Sequence, residues 1–357
     1  MRRWWAFAWL RGAAIVADRP ARHVVFIGLS AAGHGGIQGF NRRVIDALCA
    51  LGVPSRTLML SDHAGGDRRR FAMRVMGAAR SADVLLIGHI NLLPFALLHR
   101  LLRPGGRVIL FAHGIEVWGD AGFRPVRRWE PVLLRTAIDT VAVVSDYSRA
   151  RMAQAFGLPP ARFHHFSNAV DLAPPSRRAI RAPIVLAVSR LGAGERGKNV
   201  DQLIRVLPMV PDARLVVIGD GPLRVELERL AASIGVGDRV ELRGSVDARA
   251  LALAYQQASM FALPSSKEGF GIVFLEAWSH GLPVIGADSG GAGEVIDHGI
   301  DGFAIDPADL SGLAAAVQRL LDDPALAARM GEAGRKKVEA RYSNAAFVAN
   351  LRALLAC

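Results

Sequence analysis

The chain has 357 residues, 51% hydrophobic and 21% charged, which excludes a disordered polypeptide and is long for one core, so two domains are expected. Its net charge of +12 lies wholly in the first half: residues 1–175 hold 23 Arg, no Lys and 11 acidic residues, whereas residues 176–357 hold 21 of each sign. An arginine-rich composition explains the abundance of Arg but not its confinement; a basic half suits an anionic partner such as lipid headgroups, a lipid diphosphate or nucleic acid.

Residues 1–22 carry Trp4, Trp5 and Trp9 beside Arg2, Arg3 and Arg11. The apolar run 4–17 is broken by Arg11, which splits the core a signal peptide needs, and it falls short of the ~20 residues that span a bilayer. Two readings remain: an interfacial helix with its Trp rings at headgroup depth, or a terminal segment packed on the domain. Strands follow at 24–29, 84–87, 108–112 and 140–144, with helices at about 38–51, 69–80, 95–102 and 147–156 between them. Near-continuous apolar strands alternating with helices predict a parallel sheet covered on both faces. The turn Gly33-His34-Gly35-Gly36 stands where phosphate-binding glycine turns stand, but it lacks the full Gly-x-Gly-x-x-Gly form, so a nicotinamide dinucleotide is poorly supported.

A proline- and charge-rich break at 171–178 reads as a linker. Beyond it the alternation restarts, with strands at 184–188, 214–218, 260–263 and 284–287 and helices at 200–210, 223–234, 251–258 and 272–279. A second doubly wound domain follows, and ligands in such sheets bind beyond the carboxyl ends of the strands, where Arg190, Glu268 and Asp288 fall. Cys49 and Cys357 follow neither a disulfide nor a metal-ligand spacing, which suits a reducing cytoplasm.

The most informative segment is Ser265 to Ile285, in which Glu268 and Glu276 bracket a glycine-bearing turn and the start of a helix. With one acid in the loop and the other about two turns along the helix, the pair cannot act as a compact general acid and base; it suits holding hydroxyl groups at two ends of one ligand. The helix entrance between them offers unpaired N–H groups and a positive dipole end to a phosphate.

Glu268 and Glu276, with the seven-residue spacer Gly269 to Leu275, resemble the Glu-x7-Glu signature of the retaining glycosyltransferases of family 4, which have the GT-B architecture. Further stretches match in order: Val188-Ser189-Arg190-Leu191 followed by Glu195-Arg196-Gly197-Lys198-Asn199, then Gly219-Asp220-Gly221-Pro222, and Gly290-Gly291 before Glu294-Val295-Ile296. The resemblance covers essentially the whole chain after the first two dozen residues. It implies an α/β GT-B fold of two doubly wound, Rossmann-like domains facing across a cleft: acceptor binding in 23–175, donor binding in 176–342, and a last helix, 343–357, crossing back to the first domain.

The resemblance also implies roles. Arg190 and Lys198 would contact the donor diphosphate in place of a metal, stabilising the charge that develops when a sugar–phosphate bond breaks. Glu268 would hold hydroxyls of the donor sugar, Glu276 the ribose of the nucleotide, and the backbone of Gly269, Phe270, Gly271 and Ile272 the diphosphate. Gly35 and Gly36 would reach across the cleft towards the phosphates, and His113, at a strand end, would face the donor sugar. His34, Glu116 and Asp120 are candidate acceptor contacts; Tyr147, Ser148, Arg149 and 168–171 suit packing or a hinge. Where the family commonly has proline before Glu294, this chain has Gly293, which loosens the turn and makes Glu294 a less secure donor contact.

The expected activity is metal-independent, retaining transfer of a hexosyl group from a nucleotide diphosphate sugar, with no cofactor, by front-face attack in which the departing phosphate helps take the acceptor proton. The expected acceptor is a lipid-linked saccharide or polysaccharide. The expected location is the cytoplasm, free or on the inner face of an anionic membrane, with no nucleic acid partner, since no recognition module accompanies the basic half. A sugar-nucleotide epimerase of the same architecture and a non-catalytic sugar-nucleotide-binding protein are the rival readings.

Overall fold

The computed structural model describes residues 23–33, 35–62, 67–120, 124–174 and 182–356. The Trp- and Arg-rich segment 1–22, His34 and the linker residues from 175 onward that the sequence singled out lie outside the described residues. Two six-stranded parallel sheets make up the chain. The first contains β1 (Val24–Gly28), β2 (Ser55–Met59), β3 (Val84–Ile87), β4 (Arg107–Ala112), β5 (Thr140–Val143) and β6 (Phe163–His165), in the order β2-β1-β3-β4-β5-β6. The second contains β7 (Ile184–Val188), β8 (Arg214–Ile218), β9 (Val240–Gly244), β10 (Met260–Leu263), β11 (Val284–Ala287) and β12 (Gly302–Ile305), in the order β12-β11-β10-β7-β8-β9.

The inner strands are apolar at almost every position because helices cover both faces and few of their side chains, such as Arg214 at the start of β8, reach water. Val24, Val25, Phe26 and Ile27 are wholly buried. The four strands that the apolar pattern does not reveal, β2, β6, β9 and β12, are the four sheet edges. Edge strands keep one side in solvent, so their apolar runs are interrupted, as in the exposed Ser55 and Arg56 of β2 or the exposed Glu241 and Arg243 of β9.

The helix Asn344–Ala356 leaves the second lobe and packs on the first. Its Phe347 meets Phe40 and Phe166 edge-on, with ring centroids 5.5 and 4.9 Å apart. On the opposite face of the first sheet, Phe71, Val75, Trp118, Met152 and Phe156 form a separate core. Both chain crossings between lobes are tied together at one side. Arg43 donates to Asp171 at 2.9 Å and to Asn344 at 3.0 Å, and Val170 N–H donates to the Tyr342 carbonyl at 2.9 Å.

Candidate active site between the lobes

Two loops at the carboxyl edge of the second sheet are sewn to each other. Asn199 is the single non-glycine residue with positive φ among those described, 55°, a conformation that asparagine tolerates. Its side-chain amide donates to the Pro264 carbonyl at 2.7 Å, while Ser266 N–H donates to the Gly197 carbonyl at 2.9 Å. This brings Lys198 Nζ to 2.7 Å from Glu268 Oε2, with side-chain exposures of 19% and 15%. A fixed ammonium and a fixed carboxylate thus stand side by side, 70 residues apart in sequence.

Three residues after Glu268, Gly271 adopts φ 87°, which is open to glycine at little cost, and turns the chain into the helix Ile272–Ser279. No side chain caps this helix start. Its first N–H groups and positive dipole end are therefore available to an anion. The glycine turn of the first lobe approaches the same spot: a β-carbon on Gly36 would lie 4.0 Å from Ile272 Cγ2.

Glu276, one turn further in, is half-buried, and its Oε2 accepts the Tyr255 hydroxyl at 3.0 Å. Tyr255 in turn stacks on His280 at 5.1 Å. Burial pushes the Glu276 carboxyl above its usual range, opposed by the Tyr255 hydrogen bond and the charge of Arg43. A carboxyl raised in the folded state contributes stability below its unfolded pKa that is lost as pH rises through the folded one. Tyr255→Phe removes the donor that favours the charged form, so the variant should lose about 1–3 kcal/mol at pH 8 and less at pH 4. Urea melts at the two pH values check this, and equal losses would refute it.

On the first lobe, His113 follows β4. Its Nε2 donates to the Gly88 carbonyl at 3.0 Å, and its ring meets Phe40 edge-on at 4.6 Å. Glu116 is buried and accepts His113 N–H at 2.6 Å and Gly114 N–H at 3.0 Å. Its Oε1 thus holds the turn after β4. Beside them is His89, which the sequence reading passed over. Burial brings its pKa down to about 4, with Glu116 opposing and His113 and Arg124 adding to the fall.

The lobes meet across this edge. Gly269 lies against Gly114 so closely that a β-carbon on Gly269 would come within 2.8 Å of Gly114 Cα and His113 O. The Gly269 carbonyl accepts Ser145 Oγ at 2.6 Å and Ser148 Oγ at 3.3 Å, and Lys267 pairs with Asp120 at 2.9 Å. Among the described residues, no group of three or more His, Cys, Asp or Glu side chains is placed to hold a metal ion.

A model for glycosyl transferases group 1 matches residues 175–337, and one for glycosyltransferase family 4 matches residues 23–174. The chain is 37% identical over 268 residues to a GDP-mannose-dependent alpha-(1-6)-phosphatidylinositol monomannoside mannosyltransferase of Mycolicibacterium smegmatis, covering 68% of each protein. The chain belongs to glycosyltransferase family 4. A Corynebacterium glutamicum GDP-mannose-dependent monoacylated alpha-(1-6)-phosphatidylinositol monomannoside mannosyltransferase is 33% identical over 278 residues, 70% of each. Among solved structures, Anabaena HepE in complex with UDP and glucose superposes with a TM-score of 0.72 at 18% identity, over 94% of this chain and 99% of that one. The fold is GT-B.

Not every candidate residue of this glycosyltransferase joins the cluster at Lys198. Arg190 pairs with Glu195 of its own loop at 2.5 Å, and its side chain is 81% exposed. Glu294 reaches across to the first lobe. Its carboxylate accepts the Asp146 N–H at 2.7 Å and also the Tyr147 N–H, at the start of the first-lobe helix Asp146–Phe156. Glu294 thus caps that helix dipole, where the sequence reading made it a donor contact less secure than Glu268.

Proposed function

We propose that this glycosyltransferase moves a hexosyl group from a nucleotide diphosphate sugar to a lipid-linked saccharide with retention of configuration and without a metal. The observation that carries the reading is the Lys198–Glu268 pair set beside the uncapped start of Ile272–Ser279. An ammonium and aligned N–H groups offset the charge of a departing diphosphate, Glu268 holds sugar hydroxyls, and Glu276 takes the ribose. Arg190, exposed and on a loop, swings from Glu195 to the diphosphate when donor is bound. Attack comes from the first-lobe side, and the leaving phosphate takes the acceptor proton, so no carboxylate nucleophile is needed.

A lipid acceptor is favoured by the phosphatidylinositol mannosides named for the relatives and by one surface of the first lobe. Exposed Met73, Met76, Leu97, Leu101, Trp129 and Val132 lie on or beside the neighbouring helices Arg68–Ala79, Pro94–Leu102 and Glu130–Thr136. Arg68, Arg69, Arg70 and Arg74 of the first of these helices, and Arg127 and Arg128 just before the third, are exposed as well. Apolar side chains among cations suit an anionic bilayer surface, and no described helix is long and apolar enough to cross one.

Purified protein, radiolabelled GDP-mannose and vesicles of phosphatidylinositol monomannoside test this directly. Transfer that persists in EDTA and gives an α-linked product, read by NMR, is expected. Loss of transfer on chelation would remove the metal-free assignment, a β-linked product would remove retention, and donor turnover without acceptor would favour an epimerase.

A further inference from the structure

Tyr255 stands behind the carboxylate of Glu276 and takes no part in the reaction proposed so far. It is buried on the helix Ala248–Gln257, its ring stacked on His280 at an interplanar angle of 11° and set against Phe261 at 6.1 Å. Packing therefore fixes where its hydroxyl points, 3.0 Å from Glu276 Oε2. Burial pushes this phenol well above its usual range, so it keeps its proton and donates it to the carboxylate. Glu276 Oε1 accepts no hydrogen bond among the described residues, yet it is not one of the buried oxygens without a partner, so solvent reaches it. Glu276 also lies four residues after Ile272, on the same face of the helix Ile272–Ser279, the face that Gly36 of the first lobe approaches. One carboxylate oxygen is thus anchored from behind, and the other is presented on the side where the lobes meet.

We infer that Tyr255 is a positioning residue for the donor nucleotide: its hydroxyl holds Glu276 Oε2 so that Oε1 meets the ribose hydroxyls in one orientation and as an ionised carboxylate. The assignment rests on the reading of Glu276 as the ribose ligand. Without the phenol the carboxylate is free to rotate, and its charge loses a hydrogen bond in a buried place. Burial already raises the Glu276 pKa; the Tyr255 hydroxyl and the charge of Arg43 from the first lobe oppose that rise, and His280 stands behind the Tyr255 ring. Removing the hydroxyl moves the balance further towards the neutral acid, which accepts hydroxyl protons more weakly than the carboxylate does. The ribose is remote from the sugar–phosphate bond that breaks, so the effect falls on donor binding and spares the chemical step.

The test uses the full chain with phosphatidylinositol monomannoside and GDP-mannose, the donor named for the relatives, together with the analogue of that donor lacking both ribose hydroxyls. Tyr255→Phe should raise the donor KM about tenfold, the equivalent of one hydrogen bond, with kcat within about twofold of wild type. A variant that merely folded less well would lose kcat and keep its donor KM. Deleting the ribose hydroxyls should weaken donor binding to the wild-type protein and cost Tyr255→Phe much less. GDP-mannose, a diphosphate diester, keeps its charge between pH 5 and 9, so a pH dependence of its binding reports the protein. Affinity should fall on acidification in both proteins, at a higher pH in Tyr255→Phe, and be low and flat in Glu276→Gln. An unchanged donor KM, or a fall at the same pH in both proteins, overturns the inference while the transferase reading stands. Should the wild-type protein bind no nucleotide sugar, the transferase reading falls and this assignment with it.

Discussion

Alanine at Gly269 should abolish most transfer while leaving the protein as stable as before. Gly269 has negative φ, so alanine fits its backbone, and the nearest atoms to a new β-carbon are all in the other lobe: Gly114 Cα and His113 O at 2.8 Å. The clash therefore opposes closure, not folding. With the lobes held apart by an ångström or so, the acceptor side no longer meets the donor, and kcat should fall roughly 100-fold. Thermal melts and binding of the donor nucleotide should stay near wild type. Gly291→Ala makes the opposite case, because its β-carbon would lie 2.4 Å from the Gly269 carbonyl carbon within the same lobe; it should lower the melting temperature by the equivalent of about 1–3 kcal/mol. A Gly269→Ala protein with normal turnover would show that the closed contact is not the working one.

Lys198→Ala should be the most damaging single change at the donor side. It removes the ammonium 2.7 Å from Glu268 that would meet the departing diphosphate, and loss of one such charge typically lowers kcat by roughly 100- to 1,000-fold. Glu268→Gln should also be severe. Because the two groups act on each other, the double variant should be little worse than Lys198→Ala alone. Steady-state kinetics on the four proteins check this; simple multiplication of the two effects would mean that the pair does not act as a unit.

Much of this was legible in the residues. All eight strands with continuous apolar runs were visible, because a strand covered on both faces can carry almost nothing else. Their four edge neighbours were hidden by alternating or charged positions such as Glu241 and Arg243. The Lys198–Glu268 association could be anticipated from motif order, but the device that makes it, the left-handed Asn199 and its bond to Pro264, could not. Glu276 among apolar neighbours called for a partner; Tyr255, one of three tyrosines, was a candidate that only the packing of helix Ala248–Gln257 could select. Ser145 and the seat of Glu294 depend on contacts between lobes, joining segments more than a hundred residues apart, and His89 depends on packing within the first lobe around Glu116 and Arg124; no local pattern reports either.

The knot of Arg43, Asp171 and Asn344 binds both crossings of the chain at one margin, as a spine binds two covers. Motion about such a spine is smallest there and grows with distance from it, and Lys267 meets Asp120 at a separate contact between the lobes. That exposed ion pair is screened by salt, so the rate at which the covers part, and with it nucleotide escape, should quicken as ionic strength rises.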